Sequence, residues 1–449
     1  MQRLCDMLLC GINLLDLLSG ACIAFYSSIQ IMWCPKRRRT DSFEDEKESK
    51  MPALEPSGDE PAIKIRVGSR ESKLALIQTE FVISELRKLY SEKDYQFELI
   101  TMKTKGDHIL DTPLSQIGSK SLFTKELEDG LLNKSIDFVV HSLKDLPTTL
   151  PPKLCVAAIL ERECPDDALV LKSSLKLDKP FTLIQPPSDN KSEWVAKHNI
   201  KEPIVIGTSS LRRIAQLRFY NPEVEPIDIR GNLTTRMNKL DNPDGPYSAL
   251  ILAYAGLKRS GYEERISHQL DSDWWYAVGQ GALAIECRED DLETIRFLSP
   301  LIHCKTTFEV IAERVFMAKL EGGCSVPLGV RCSWDPPDIV NEDFGDEKRR
   351  IKLTLHGSVF SVDGTKSIKT HEEADLADEI DIDDVIEETK HFTSICLPPS
   401  NAPCYSTVRR NFINSAKIGL KLAEKFRKLG AMEILQEIRK FKSPTDKDN

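Results

Sequence analysis

Hydrophobic and polar positions along the chain fall into two regimes that meet near Ile63. Beyond that point short β-branched runs alternate with polar turns and stretches of helical period, which predicts α/β units on largely parallel sheets. The spacing predicts a strand over Ile63 to Val67, a turn at Gly68-Ser69-Arg70, and a helix capped by Ser72 that reaches about Tyr90. Tyr95 to Met102 is the next strand. Ile136 to Val140 ends at His141, Pro203 to Ile206 ends in Gly-Thr-Ser-Ser, Pro226 to Ile229 runs into Arg230-Gly231, and Ala249 to Ala253 runs towards Gly256 and Arg259. In open α/β sheets ligands lie outside the carboxyl ends of the strands, so these ends can share one crevice.

After about Ile302 the texture changes. A helix is predicted over Phe308 to Leu320, a hairpin over Ile351 to Lys369 turning at Asp363-Gly364, and an amphipathic helix over Asn411 to Leu429 stopped by Gly430. Together they indicate a third, α+β domain. The charged stretches Asp335 to Arg349 and Glu372 to Glu388 read as solvated loops. Asp107 to Lys120 suits a lid over a cleft and a surface loop without a role equally well. The resulting division is an extension and linker over 1–61, a first α/β domain over 62–162 with 278–303, a second over 163–277, and the α+β domain over 304–449. A chain of 449 residues is long enough for this.

The first fifty residues stand apart. Met7 to Trp33 is mostly apolar, is interrupted by Asn13 and Asp16, and precedes the basic run Lys36 to Arg39. That length suits a signal anchor, but the preferred reading is a dispensable extension, with Met51 as an internal start. Thr40 to Ala62, rich in Glu, Asp, Ser and Pro, reads as a disordered linker.

Composition narrows the function classes. A net charge of -9 and 7% aromatic residues argue against general nucleic-acid binding, so any cationic site must be local. Twelve cysteines include no Cys-x-x-Cys pair, and no His-Glu-x-x-His stretch is present. Reduced thiols and no metal are expected.

Candidate chemistry gathers at the strand ends. In Gly207-Thr208-Ser209-Ser210-Leu211-Arg212-Arg213 a strand turns directly into a helix, whose free N–H groups favour an anion, and arginine adds a fork suited to carboxylate or phosphate. An ordinary serine cap with solvated arginines explains that segment alone equally well. Arg70, Arg230, Arg236 and Arg259 also lie at or just beyond strand ends, and as a set they are better explained by a multiply anionic ligand. Lys144-Asp145 sits on a turn before Pro147, where a carboxylate can meet a cation or simply satisfy its own backbone. Cys324 follows two glycines on a tight turn before Pro327; its local sequence favours an inert thiol.

The segments VGSRESKLALIQ, KSLFTKELE, VVHSLKDLPT, GTSSLRR, IRGNLTTR, VGQGALAIE and EGGCSVP occur in this order, and in them the chain resembles the porphobilinogen deaminase family from about Ile65 to Ile438. The resemblance implies two periplasmic-binding-protein-like α/β domains plus a smaller α+β C-terminal domain. It implies a transferase of porphyrin and heme biosynthesis that joins four porphobilinogen molecules head to tail, releasing ammonia, to give hydroxymethylbilane. It also implies a dipyrromethane cofactor covalently attached through Cys324, with Asp145 as the catalytic carboxylate. Lys144, Ser142, Ser209, Arg212, Arg213 and Arg236 are then expected at the cofactor, and Arg70, Ser210, Arg230, Arg259 and Gln280 at the substrate. A cytoplasmic monomer without nucleic-acid or membrane partners is expected. Loss of charge at Arg212, Arg213 or Arg230 should weaken elongation more than folding. The extension, the segment Lys172 to Lys201 and the acidic stretch Glu372 to Glu388 depart from the family pattern. A non-catalytic two-domain binding protein would also explain the arginines and helix N-termini, but it gives no task to Asp145 or Cys324.

Overall fold

The computed structural model describes residues 63–104, 124–174, 204–222, 224–271, 273–320, 326–340, 343–344, 349–378, 394–396 and 405–442. The N-terminal extension, the candidate lid Asp107 to Lys120, most of Lys172 to Lys201, Cys324 and the greater part of the acidic stretch lie outside the described residues.

The first lobe begins with β1 (Ile63–Arg70), α1 (Lys73–Leu89), β2 (Tyr95–Met102), α2 (Lys125–Leu132), β3 (Phe138–Ser142) and β4 (Leu154–Ile159). Ser72 caps α1 by accepting from the Ala75 N–H at 3.4 Å, as its position suggested. Gly68-Ser69-Arg70 is strand rather than turn: β1 keeps its parallel pairing with β2 as far as Arg70 and Met102. Gly68 is there for packing, since an added Cβ would lie 2.9 Å from side-chain atoms of both Ile136 and Val139.

The chain then crosses into a second lobe of β5 (Asp167–Leu171), β6 (Val205–Gly207), α3 (Leu211–Tyr220), β7 (Glu225–Ile227), α4 (Leu233–Asp241), β8 (Ala249–Ala253), α5 (Tyr254–Arg259) and β9 (His268–Leu270). It crosses back to lay down β10 (Leu283–Arg288) and α6 (Leu292–Leu298) in the first lobe. The sheet orders are β2-β1-β3-β10-β4 and β7-β6-β8-β5-β9. In each sheet the strand arriving from the other lobe, β10 or β5, runs antiparallel to both neighbours. The lobes therefore share one topology and are joined by two crossing segments, which are hydrogen-bonded to each other through Glu163 N and the Gly281 carbonyl at 3.3 Å.

The third part consists of α7 (Cys304–Lys319), β11 (Leu328–Asp335), β12 (Lys352–Phe360), β13 (Ser367–Asp375), α8 (Tyr405–Lys428) and α9 (Ala431–Lys442). The hairpin turns at Asp363-Gly364 as expected, with Gly364 at a φ of 77°. Glu372 to Asp375, expected in a loop, instead complete β13 opposite Leu355 to Lys352. Gly430 ends α8 at a φ of 85°, and α9, which the spacing did not predict, follows at once. Helix α7 is buried on nearly every side, including Glu313 and Arg314, which is why a one-sided apolar stripe describes it poorly. One hydrophobic core runs from Leu127 and Val139 of the first lobe through Phe308 and Phe316 to Leu353 and Phe426, so the third part shares its core with that lobe. Fold class and architecture are those expected, a pair of α/β lobes and a smaller α+β domain.

Candidate active site

Strand β3 ends in a single 3-10 turn, Leu143–Asp145. Leu143 and Leu146 are both 1% exposed and point into the core, which leaves Lys144 half-buried and Asp145 exposed on the other side of the turn. Arg314 of α7 fastens the turn from below, donating to the carbonyls of Leu146 at 3.2 Å and Pro147 at 2.7 Å. Just before it, Ser142 Oγ exchanges hydrogen bonds with the buried amide of Gln78 at 3.0 and 3.1 Å, and His141 Nε2 lies 2.8 Å from the buried Glu286 carboxylate. The carboxylate expected to meet a cation is thus presented to solvent by a rigidly held backbone.

Across the cleft, α3 begins immediately after β6. Its N-cap Ser210 makes no side-chain capping bond, so its hydroxyl remains at the helix N-terminus. Ser209 Oγ, just after β6, donates to the carbonyl of Ile229, just after β7, at 2.5 Å. Arg212 and Arg213 are 4% and 6% exposed, and both face Asp167, which is fully buried. Arg212 Nη1 donates to Asp167 Oδ2 at 2.8 Å and also to the Trp275 carbonyl. Arg213 donates through Nε and Nη2 to Asp167 at 3.1 and 2.6 Å and through Nη1 to the Ile251 carbonyl at 2.8 Å. Trp274 Nε1 and Gln280 Nε2 complete the shell around Asp167 at 2.9 and 2.8 Å. Burial alone would raise this carboxyl, but Arg212 and Arg213 hold it well below the usual carboxylate range. Charge loss at either arginine therefore also leaves the buried Asp167 with less compensation, a cost to folding that accompanies the expected loss of elongation.

The remaining cations lie around this hub. Burial pulls the Lys144 ammonium down to about 8; Asp145 and Asp167 oppose the fall, and Arg213 and Arg212 add to it. Burial likewise brings Arg236 down to about 10, with Arg213 and Arg230 adding to the shift and Asp228 and Asp145 opposing it. The first lobe's Lys144 and Asp145 and the second lobe's Arg212, Arg213, Arg230 and Arg236 therefore share one electrostatic field. It holds five cations, Lys144 and four arginines, against three carboxylates, Asp145, Asp167 and Asp228. Such a surplus of cations is balanced by an anionic ligand. Gln280 is 1% exposed, and its Oε1 has no hydrogen-bond partner among the described residues, which leaves an acceptor for a ligand N–H. These groups fit a ligand that combines negative charge with a hydrogen-bond donor.

Arg259 donates to the Gly281 carbonyl at 2.8 Å, which holds it against a crossing segment. Arg70 ends β1 half-buried. Around Cys324 only the flanks are described: Leu320 is fully buried after α7, and Pro327 accepts from Phe360 N at 3.2 Å as β11 begins.

Sequence reasoning missed Asp167, the partner of three expected ligand-binding residues. Its signal was an acid opening the apolar run Ala168 to Leu171, whose strand was also missed. Gln78 and Trp274 left no local signal, because their relevance lies wholly in partners distant along the chain.

Two family models match the chain: "Porphobilinogen deaminase, dipyromethane cofactor binding domain" over residues 65–296, and "Porphobilinogen deaminase, C-terminal domain" over residues 307–388. The chain is similar to the porphobilinogen deaminase of a Nostoc species, with 43% identity over 375 residues, covering 83% of this chain and 94% of that protein. It is similar to that of Synechococcus elongatus, with 47% identity over 311 residues, covering 69% and 86%. The same name is carried by a relative from Carboxydothermus hydrogenoformans, with 39% identity over 375 residues, covering 83% and 97%.

Proposed function

The chain belongs to the porphobilinogen deaminase family, and on that premise we propose how its own residues divide the work of condensing porphobilinogen into hydroxymethylbilane. Asp145 is the catalytic carboxylate. Each incoming unit loses ammonia and becomes cationic before its new carbon–carbon bond forms, and an exposed carboxylate on a fixed turn balances that charge and takes up the proton released. Lys144, Ser142, Ser209, Arg212, Arg213 and Arg236 hold the dipyrromethane, and Arg70, Ser210, Arg230, Arg259 and Gln280 hold arriving substrate. The dipyrromethane, when bound, supplies the free ring carbon on which the chain is extended. Cys324 anchors it, five residues after the end of α7 at Lys319 and four before the start of β11 at Leu328.

The observation that carries this reading is the surplus of cations gathered between the lobes, Lys144 and four arginines against three carboxylates. Every pyrrole unit brings carboxylates, so a growing product is a growing polyanion, and charge-assisted bonds from several arginines can follow it. Among the described residues no helix is long and apolar enough to cross a membrane. A cytoplasmic monomer without nucleic-acid partners belongs to the same proposal, as do the boundaries 62–162 with 278–303, 163–277 and 304–449.

Intact mass spectrometry of the active protein tests the assignment. The expected mass exceeds that of the sequence by two linked pyrrole units, the adduct maps to Cys324, and Cys324→Ala loses both adduct and turnover. Active enzyme with Cys324 recovered as an unmodified thiol would remove the anchor.

A further inference from the structure

The two crossing segments between the lobes are bonded to each other. Arg162 Nε donates to the Gln280 carbonyl at 2.9 Å, Gln280 Nε2 donates to the Pro165 carbonyl at 2.6 Å, and Glu163 N donates to the Gly281 carbonyl at 3.3 Å. The returning segment is also bridged to β11 through Tyr276 and Val330, at 2.9 and 3.3 Å, and Gly329 packs directly against Trp275 with no room for a Cβ. Lobe 1, lobe 2 and the strand that follows Cys324 therefore meet at this hinge.

Asp167 is the first residue of β5, where the outgoing segment enters lobe 2. Its carboxylate binds the returning segment through Trp274 and Gln280 and binds α3 through Arg212 and Arg213. Arg212 reaches the returning segment a second time at the Trp275 carbonyl, which also accepts from Gln216 Nε2 of α3 at 3.0 Å. One buried carboxylate thus joins both halves of the hinge to the helix that faces the anionic ligand. We propose that Asp167 is a positioning residue that braces Arg212 and Arg213 against the interlobe hinge, so that the aim of the two guanidiniums and the setting of the lobes are fixed together.

A buried ion pair is a poor source of net stability, because desolvation of both partners offsets most of the attraction. It is an effective source of geometry. Arg212 and Arg213 have fork donors directed by a fixed acceptor behind them, and Asp167 is in turn directed by neutral donors from the hinge. A shift of either lobe changes the distance from Asp167 to Trp274 and Gln280, and with it the orientation of both arginines. As product lengthens, new carboxylates must be admitted without releasing those already held. A brace that couples arginine aim to lobe position lets the site make that adjustment as one unit. This inference rests on the reading of Arg212 and Arg213 as ligand-binding residues.

The test uses the full-length, cofactor-loaded enzyme, with turnover expressed per adduct-bearing molecule so that loss of folded protein does not count. Asp167→Asn is expected to lower kcat by about a hundredfold, the scale of a misplacement of about 1 Å, while KM changes far less. Asp167→Glu restores the charge and should recover most of that loss. Intact masses taken under limiting porphobilinogen should show partly extended chains accumulating in Asp167→Asn. In a double-mutant cycle with Arg212→Gln, the two losses should be strongly non-additive, because Asp167 acts through that arginine. If Asp167→Asn yields no folded protein, the cycle is run with Trp274→Phe, which removes a donor to the same carboxylate, and Arg212→Gln, and the same non-additivity is expected. A parent-like rate per loaded molecule, or losses that simply multiply, would overturn the proposal and leave Asp167 a structural ion. Parent enzyme that fails to consume porphobilinogen would instead refute the function on which the proposal rests, so the two failures are distinguishable.

Discussion

Asp145 and Asp167 are carboxylates in the same field of arginines, yet the two lobes treat them in opposite ways. Lobe 1 exposes Asp145 on a turn whose backbone is pinned by Leu143, Leu146 and Arg314. Lobe 2 buries Asp167 completely and surrounds it with Arg212, Arg213, Trp274 and Gln280. Under the roles proposed above, the difference separates two tasks that one carboxylate cannot perform together. A group that must meet a transient positive charge needs free lone pairs and a fixed position, whereas a group that aims other side chains needs every lone pair occupied. Preorganisation is therefore supplied to Asp145 through its backbone and to the arginines through Asp167.

The sharpest way to break the comparison is Asp145→Asn. Because the side chain is exposed, unfolding stability should stay within about 0.5 kcal/mol of the parent, while turnover falls by about 10²- to 10⁴-fold. Denaturant unfolding and porphobilinogen consumption measured on one preparation check both halves; normal turnover by the folded variant would take Asp145 out of the mechanism.

Arg213→Ala should behave differently. It removes three hydrogen bonds and leaves Asp167 with less compensation, so a loss of about 3–5 kcal/mol in unfolding free energy is expected alongside lost activity. Arg230→Ala, at a half-buried position without that carboxylate, should reduce activity with a smaller change in stability. Equal destabilisation by the two variants would contradict the bracing role given to Asp167.

Lys144 provides a pH test of the shared field. Its folded pKa of about 8 lies below its ordinary value of 10.5, so burial penalises the charged form. Below about pH 8 both the folded and unfolded chains carry the proton and the penalty is present in full. Between about 8 and 10.5 the unfolded chain binds more protons, so this group's contribution to stability improves as pH rises. Activity should move the other way, because the neutral amine no longer attracts carboxylates. A basic limb near pH 8 is expected in the rate profile, and Lys144→Arg should carry it to higher pH because guanidinium stays charged. An unmoved limb in that variant would assign the titration to another group.

The smallest effect should come from Asp241 and Arg265, which form the same bidentate contact at 2.8 and 2.9 Å but remain partly solvated at the surface of lobe 2. After allowance for solvent screening, Arg265→Ala should cost less than about 1 kcal/mol, and added salt should shrink the difference further. A cost similar to that of Arg213→Ala would mean that burial is not what distinguishes the Asp167 cluster.

The family motifs, the α/β alternation and the placement of Ser, Arg, Lys and Asp at strand ends were all legible in the sequence, because period and turn chemistry are local. Ser72 as a cap, Tyr95–Met102 and Ala249–Ala253 as strands, and the Asp363-Gly364 turn emerged from such local rules. Strands β4, β5 and β10 did not, since they are buried on both faces and offer no alternation to read. What tertiary structure alone decided was the fate of the charges. Asp167 meets Arg212, Arg213, Trp274 and Gln280 across 45, 46, 107 and 113 residues, and nothing near it in sequence announces any of them. Coulomb interactions and desolvation depend on distance and burial, so the same Asp and Arg residues become a solvated pair, a brace or a ligand site according to where the crossing segments bring them. The sequence by itself determined which residues are available at the cleft; the two-way crossing between the lobes decided which of them are occupied by one another and which remain for the ligand.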